Sequence, residues 1–365
     1  AFPRADAEYR LWRAPSVDVN LQGRASRSQG STRQSLRYEV TAAGELGKAS
    51  YTARLASDDR LQPQSLRFTA YRNQPDGGLL GPLNATRLAA GDVELPPGQL
   101  TGRSVVGRGS FVSNRPLANQ TRFAATSLRG ALPAGWDAEL YRNDQLIAFQ
   151  QDDGSGRYLF DNIDLQFGRN EFEVVLYGPQ GQVRRFREDV PVGRQMIEPG
   201  KTYYWAGIVQ QDRDLLELRQ RFLPPGSGNW RWGVGVERGL DERTSVALGY
   251  QSFVLGGRRR QYLEGNLQRT IGPMQLQVAA AHELAQGFFV EATALGKLGP
   301  VNLAANAAWV SGAFQSDFGS DMLDYRAGLR ADTSLKIGKF VLPVQAGISR
   351  IERRDGSKVN EWFLA

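Results

Sequence analysis

The chain has 365 residues, a formal net charge of +7 and no cysteine. That length admits two or three ordinary domains or one large barrel or sandwich. The missing cysteine excludes a disulfide framework, thiolate metal sites and cysteine nucleophiles. The single histidine, His282, excludes multi-histidine zinc centres.

Of the 45 basic residues, six are lysine and the other 39 are arginine. They are dispersed, with Arg258-Arg259-Arg260 the exception, so the high isoelectric point is not read as a nucleic-acid interface. Glycine makes up 41 residues, about 11% against an average near 7%, which fits an all-β chain with many turns. No segment approaches the ~18 apolar residues of a membrane helix. Ala1 to Arg10 carry no signal-peptide core. A polar average composition does not exclude the membrane, because transmembrane barrels alternate polar and apolar residues.

The alternation begins at Val17, Val19, Leu21, Gly23 and Ala25, with Asp18, Asn20, Gln22 and Arg24 between them. It returns at Leu36 to Ala42, with Arg37 and Glu39 on the polar side, and at Ala49 to Leu55, Leu66 to Tyr71, Asn84 to Asp92 and Leu100 to Gly109. These are six strand candidates before residue 110. From Tyr203 the pattern resumes. Trp230, Trp232, Val234 and Val236 alternate with Arg231, Gly233, Gly235 and Glu237; Val246, Leu248 and Tyr250 follow. Leu276, Val278 and Ala280 alternate with Gln275 and Gln277, and Val301 to Trp309 with Asn302 and Asn306. Leu323 to Leu329 alternate with Arg326 and Arg330; Phe340 to Ile348 and a strand from Val359 end the series.

Strands of about nine to eleven residues suit a tilted bilayer crossing. Tight turns such as Leu240 to Arg243 and Gly299-Pro300, set against longer connections at Gly256 to Arg260 and Gly312 to Asp321, predict short turns on one side and long loops on the other. Trp230, Trp232, Tyr250, Phe253, Trp309, Tyr325 and Trp362 are expected in interface girdles. The fold class is thus all-β: a transmembrane antiparallel β-barrel of residues 1–117 and 195–365, incomplete at its carboxy end. The competing soluble sandwich or propeller would need a second buried face for each apolar stripe.

Residues 118–194 read differently. Their strands are shorter and turn signals denser: Asn143-Asp144, Asp153-Gly154, Phe167 to Asn170 and Gly178 to Gly181. Leu140, Phe149, Tyr158, Phe160, Ile163, Phe172, Val174 and Leu176, with Leu146, Ile147 and Tyr177, are expected to fill the core of an inserted β-sandwich.

Local phrases resemble the outer-membrane ushers of the chaperone–usher pilus pathway. Leu128-Arg129-Gly130 followed by Trp136 to Asp144 is similar to the opening of the usher plug, with Asn-Asp where Asn-Gly is usual. Gly156 to Ile163 and Glu171 to Val183 resemble the next plug strands. Lys201 to Gly207 resembles the strand that re-enters the barrel, and Arg238-Gly239-Leu240 with Thr244 to Tyr250 a following hairpin. The resemblance implies a plugged secretion channel that passes pilus-type subunits, delivered by a periplasmic chaperone, without ATP. Two other readings stay open: a plugged barrel for polysaccharide export or porin-like diffusion, and a non-transporting surface structural or adhesive β-protein.

No catalytic, metal or cofactor site is expected. His282-Glu283 is a lone His-acid pair without a matching serine, read as a rim histidine. Asp152-Asp153-Gly154 and Asp161-Asn162 miss the calcium-loop spacing and read as a turn and a strand end. The lumen-lining candidates are Asp18, Asn20, Arg24, Arg37, Glu39, Arg231, Glu237, Gln275, Gln277, Asn302, Asn306, Arg326 and Arg330. Arg258, Arg259 and Arg260 are candidates for an external loop that meets lipopolysaccharide phosphates, and outer-membrane lipid is the expected surrounding.

Overall fold

The computed structural model describes residues 11–28, 31–117, 122–166, 168–192, 196–218, 226–284, 286–318, 323–338 and 340–365. Two compact units divide it: Ala1–Ala118 with Tyr203–Gly235 and Gly249–Tyr262, and Asn119–Thr202 with Val236–Leu248 and Leu263–Ala365.

The first six strands are β1 (Trp12–Ser28), β2 (Ser31–Leu46), β3 (Ala49–Ser57), β4 (Pro63–Asn73), β5 (Arg87–Leu95) and β6 (Val105–Ser113). Each pairs antiparallel with the next. The chain then leaves this sheet for β7 (Arg122–Ala131), β8 (Asp137–Arg142), β9 (Gln145–Gln150), β10 (Arg157–Gln166), β11 (Gly168–Tyr177) and β12 (Val183–Val192). It returns as β13 (Thr202–Gln211), which pairs with β6. The rest are β14 (Trp230–Asp241), β15 (Thr244–Leu255), β16 (Arg258–Ile271), β17 (Met274–Glu283), β18 (Gly287–Leu298), β19 (Val301–Gly312), β20 (Leu323–Ile337), β21 (Phe340–Arg353) and β22 (Lys358–Leu364). A single sixteen-stranded sheet runs β1 to β6 and then β13 to β22.

Burial differs along this sheet: on β5 and β13 the buried side chains are apolar, Ala89, Val93, Leu95, Trp205 and Val209, whereas on β14 to β16 the large apolar residues are the exposed ones. On β14, Trp230, Trp232, Val234 and Val236 are exposed, whereas Arg231 and Gly233 are buried and Glu237 is half-buried. On β16, Leu263, Leu267 and Ile271 are exposed, and Tyr262, Gln268 and Thr270 are buried. Leu248 on β15 is 60% exposed, against 2% for Gln251. A sheet in water buries its apolar stripe; on β14 to β16 polar side chains lie on the covered face instead.

Two sequence expectations change. Leu100 to Ser104 is not strand: Pro96-Pro97-Gly98 ends β5, since proline cannot continue a central ladder, and β6 starts at Val105. The connection at Gly256-Gly257 is a tight two-residue turn with both φ positive, the conformation glycine adopts without cost. Arg258 therefore opens β16 rather than lying in a long loop, and tight turns occur at both ends of the strands.

The inserted strands make a four-stranded sheet, β12-β11-β8-β9, and a two-stranded sheet, β7-β10. Leu140, Tyr158, Phe160, Phe172, Val174 and Leu176 form one buried cluster with Leu132, Ala138 and Met196, and Ile163 packs against it. Phe149 is 52% exposed and Leu146 also lies outside. Phe149 sits opposite Glu139, on the face of β8 opposite the one that buries Ala138 and Leu140, so alternation excludes it from the core. Asn143 and Asp144 both adopt positive φ, which is how an Asn-Asp pair serves this hairpin. The side chains of Asp161 and Asn162 lie outside the described set.

On the outer face of this small sheet, the Tyr141 hydroxyl donates to Glu139 Oε2 at 2.7 Å, and that bond pushes the phenol up to about 12. Glu173 accepts from Arg187 at 2.9 Å and Arg185 at 3.2 Å. The Arg187 hydrogen bond leads in holding its carboxyl below the usual range. A depressed carboxylate stabilises the fold above its ordinary value near ~4.3 and loses that contribution as pH falls through the lowered value. Thermal melting of this domain between pH 6 and 3 is expected to show an acid-side loss that is smaller in Glu173→Gln. An identical pH profile in the variant would refute the assignment.

Candidate functional site

The strand register groups the members of the polar constellation, although Asp18, Asn20, Arg24, Arg37 and Asn302 are exposed and not covered. In the first unit Asp18 lies opposite Thr41, Asn20 opposite Glu39, Gln22 opposite Arg37 and Arg24 opposite Ser35. Arg54, which pairs with Thr41 on the next strand, reaches Glu39 at 2.5 Å. Arg37 bonds Asp59. These ion pairs are half-exposed to exposed, so water and salt screen them.

Arg231 differs from all of them. It is 1% exposed, its guanidinium lies 3.9 Å over the Phe253 ring, and Nη2 donates to Gln251 Oε1 at 3.3 Å. Phe253 stacks in turn on the buried Tyr262. Phe253, expected in an interface girdle, therefore belongs to the covered face instead. Above Arg231 lies the β5–β6 connection, where Leu100, Thr101 and Gly102 are buried. A Cβ at Gly102 would stand 1.7 Å from Arg231 Nη2, so a larger residue there would displace the guanidinium. The loop thus folds back onto the sheet and is held by a cation whose field is met by an aromatic face and an amide.

A second segment extends from the β6–β13 ladder, where Asp212 N donates to Val106 O and Arg108 N to Arg213 O. Pairing of β4 with β5 stops at Thr69–Gly91, where Gly91 has φ +110° and a Cβ would lie 2.2 Å from Phe68 O. Beyond that point Phe68 N needs another acceptor. Asp92 supplies it: Oδ2 accepts Phe68 N and Oδ1 accepts Leu215 N, both at 2.7 Å. Asp214 accepts Ser65 Oγ at 3.0 Å and lies 3.4 Å from Arg67 Nε, while Leu216 bridges to Leu66. Glu217 meets Arg213 and Arg108. The strap takes up hydrogen bonding that β5 has left.

In the second unit, Gln277 on β17 lies opposite Thr293, and Thr293 opposite Asn306 and hence Gly328. Arg326 lies opposite Ala308 and reaches Glu291 at 2.6 Å. Arg330 donates to Asp332 and Gln345. Gln275, Asn302 and Glu237 share the parity of these residues on their own strands. Residues 313–318 fold over here: Phe314 is buried against Phe289, and Glu283 Oε2 accepts Gln315 N at 2.9 Å. His282 is exposed, its Nδ1 3.0 Å from Gly287 O. In the first unit, Arg259 donates to Ser252 Oγ and Trp230 O, and Arg260 Nε to Leu255 O, which ties both to neighbouring strands; Arg258 is exposed.

Sequence reading missed the strap, its Asp92 anchor and the loop on Arg231. A glycine inside a strand pattern, as at Gly91, is the available signal for a bulge or close backbone approach, and Pro96-Pro97-Gly98 marks the loop.

Neither a family model nor a curated protein matches the sequence. Solved structures match by fold. A chain of the cryo-EM E. coli P pilus tip assembly intermediate PapC-PapD-PapK-PapG is similar at 13% identity and TM-score 0.50, over 98% of this chain and 50% of that one. The P pilus usher (PapC) translocation pore is similar at 15% identity and TM-score 0.43, over 95% and 73%. A mutant Rh. blastica porin is similar at 13% identity and TM-score 0.36, over 95% and 99%. At these identities the likeness is one of fold: an all-β chain on a large antiparallel sheet, with usher and porin barrels among its neighbours.

Asp92→Asn keeps the shape and removes one of the two acceptors. The orphaned amide is expected to cost about 1–3 kcal/mol, read as faster hydrogen exchange at Leu215 and through 212–218. Unchanged exchange there would show that Asp92 does not hold the strap.

Proposed function

We propose that this protein is a gated outer-membrane channel of the usher type. The observation that carries the reading is the inverted burial of β14 to β16. Trp230, Trp232, Val234, Val236, Leu248, Leu263 and Ile271 face outward, while Arg231, Gln251, Gln268 and Thr270 are covered. A contiguous exposed apolar face is costly in water and stable in hydrocarbon. Closure of the sheet into a barrel would satisfy its edge backbone groups, as a membrane requires, and would turn the polar face into a lumen.

In that lumen the Arg231-held loop narrows the passage, and the domain of β7 to β12 acts as the plug. Its insertion between the adjacent strands β6 and β13 tethers it at both ends beside the wall. The fold likeness to a chain of a pilus assembly complex supports translocation of pilus-type subunits presented by a periplasmic chaperone. Weak, wet ion pairs such as Arg54–Glu39 suit a gate that must move. No catalytic step is part of this reading.

Excising 118–194 with a Gly/Ser bridge is expected to leave an assembled protein with higher conductance in planar bilayers. An assembled variant that conducts no more than the intact protein would remove the plug from the reading. A variant with higher conductance for small ions but no subunit passage in the parent would favour porin-like diffusion.

The membrane orientation has its own test. Arg at Leu248 is expected to cost about 2–4 kcal/mol in assembly if this site lies near the bilayer midplane, and Arg at Ala247, on the opposite face, far less. Comparison of heat-modifiable gel mobility checks this, and equal assembly of Leu248→Arg and Ala247→Arg would count against lipid contact.

A further inference from the structure

The chain that returns from the inserted domain is fastened to strand ends of the second unit before it becomes β13. Met196, Ile197 and Pro199 meet Thr270 of β16, Ser245 of β15 and Gly239 of β14 in turn. Each of these three lies within two residues of the same end of the ladder, and Thr202 then opens β13. Met196 is buried in the domain's own core with Leu132, Leu140 and Phe160, and its Sδ also accepts the Thr270 hydroxyl at 3.7 Å. One side chain thus belongs to the domain and to the sheet at once. Ile197 and Ser245 are both buried, and Ser245 Oγ accepts the Ile197 N–H at 2.8 Å and donates to its carbonyl at 3.4 Å. A buried amide needs an acceptor, and Ser245 supplies it only while residues 196–201 lie in place.

Gly239 is what admits this linker. Its carbonyl accepts Gly200 N at 2.8 Å, and its own N–H donates to Lys201 O at 3.1 Å. A Cβ there would stand 2.4 Å from Ile197 O and 2.2 Å from Glu198 O. Both are backbone atoms, so no change of rotamer relieves the clash and the linker would have to lift. The φ of Gly239 is not positive, so close approach is what calls for glycine here. A segment that served only as a tether would run over the surface and need none of these contacts. Each bond is also of the ordinary kind that contributes modestly to stability, so the set can be undone.

We propose that residues 196–201 are a latch. They hold the domain of β7 to β12 at rest, and the domain leaves only after they peel from the ends of β14, β15 and β16. Freed, the six residues extend to about 20 Å, which turns a fixed stem into a tether. The proposal rests on the reading of that domain as the plug.

The test uses the full chain in planar bilayers at fixed voltage, with the variant lacking 118–194 as the reference for the open level. Gly239→Ala is expected to raise the fraction of time spent open about tenfold, equivalent to about 1.4 kcal/mol, with heat-modifiable mobility unchanged. Ser245→Ala acts in the same direction and stands as the test if Gly239→Ala fails to assemble. Gly265→Ala, where a Cβ meets only Leu248 at 3.7 Å, is expected to open as the parent does. Ile197→Cys with Ser245→Cys gives the converse. The chain has no other cysteine, so an added oxidant takes two hydrogens from the two thiols and forms one bond. Oxidised, this protein is expected to stay at the resting level; reduced, it is expected to open at least as often as the parent. Parent-like opening in the assembled alanine variants at 239 and 245 would overturn the latch. So would equal opening of Gly265→Ala and Gly239→Ala, which marks a general loosening of the sheet. An assembled double-cysteine protein that forms no bond, or opens as often oxidised as reduced, would overturn it too. In each of these cases a reference variant that conducts more than the parent leaves the plug reading standing. A reference variant that conducts no more than the parent removes the plug reading, and the latch with it.

Discussion

The antiparallel ladder constrains everything else in this protein. Once sixteen strands exchange backbone hydrogen bonds in one sheet, each residue is committed to one of two faces, and a slip of one residue would exchange them. On β14 to β16 the chain uses that commitment in the opposite sense from a water-soluble sheet. There its leucines, valines and tryptophans alternate outward over covered Arg231, Gln251, Gln268 and Thr270, while β5 and β13 bury an apolar set around Leu95 and Trp205. The register Asn20–Glu39, Gln22–Arg37 and Thr293–Asn306 is the same constraint seen from the polar face.

A polar face of this kind does not need a dry core, and most of its ion pairs remain wet and weak. The exceptions occur where a connection folds back onto it. Arg231 is fully covered because Leu100 to Gly102 lie on it, and its charge is met by the Phe253 ring and Gln251. Where β5 parts from β4, Asp92 is buried as well, and both its oxygens are occupied by backbone amides. Ordinary strands thus set the wall, and the interruptions in pairing, at Gly91 and at Pro96-Pro97, set what lies over it. The domain of β7 to β12 is stabilised differently, by a dry cluster around Leu140, Phe160 and Phe172.

Much of this was legible in the sequence because period-two alternation is a local signal. Strands β1 to β4, β14, β15, β17 and β19 to β22, the polar and apolar stripes, and a distinct middle segment all follow from residues that are neighbours in the chain; β16 and β18 were not read from it. Asn143-Asp144 announced a hairpin because those two residue types tolerate positive φ. Most of the small domain's core could be named as well. Phe149 could not be placed, since hydrophobicity alone does not say which face of β9 meets β11 and which meets solvent.

What the sequence by itself determined was thus the class of element and the two-faced character of each strand. Tertiary structure decided which face is covered, which strands are neighbours across the insertion (β6 with β13), and where connections return to the sheet. It also joined Asp92 to Leu215, Gly102 to Arg231, and Gly239 to the linker at Ile197 and Glu198. Each of these joins residues far apart in the chain, and long-range pairing is fixed by the whole ladder rather than by any local pattern. A carboxylate that holds a strap and a glycine that admits a linker look, within ten residues of sequence, like any other aspartate and glycine.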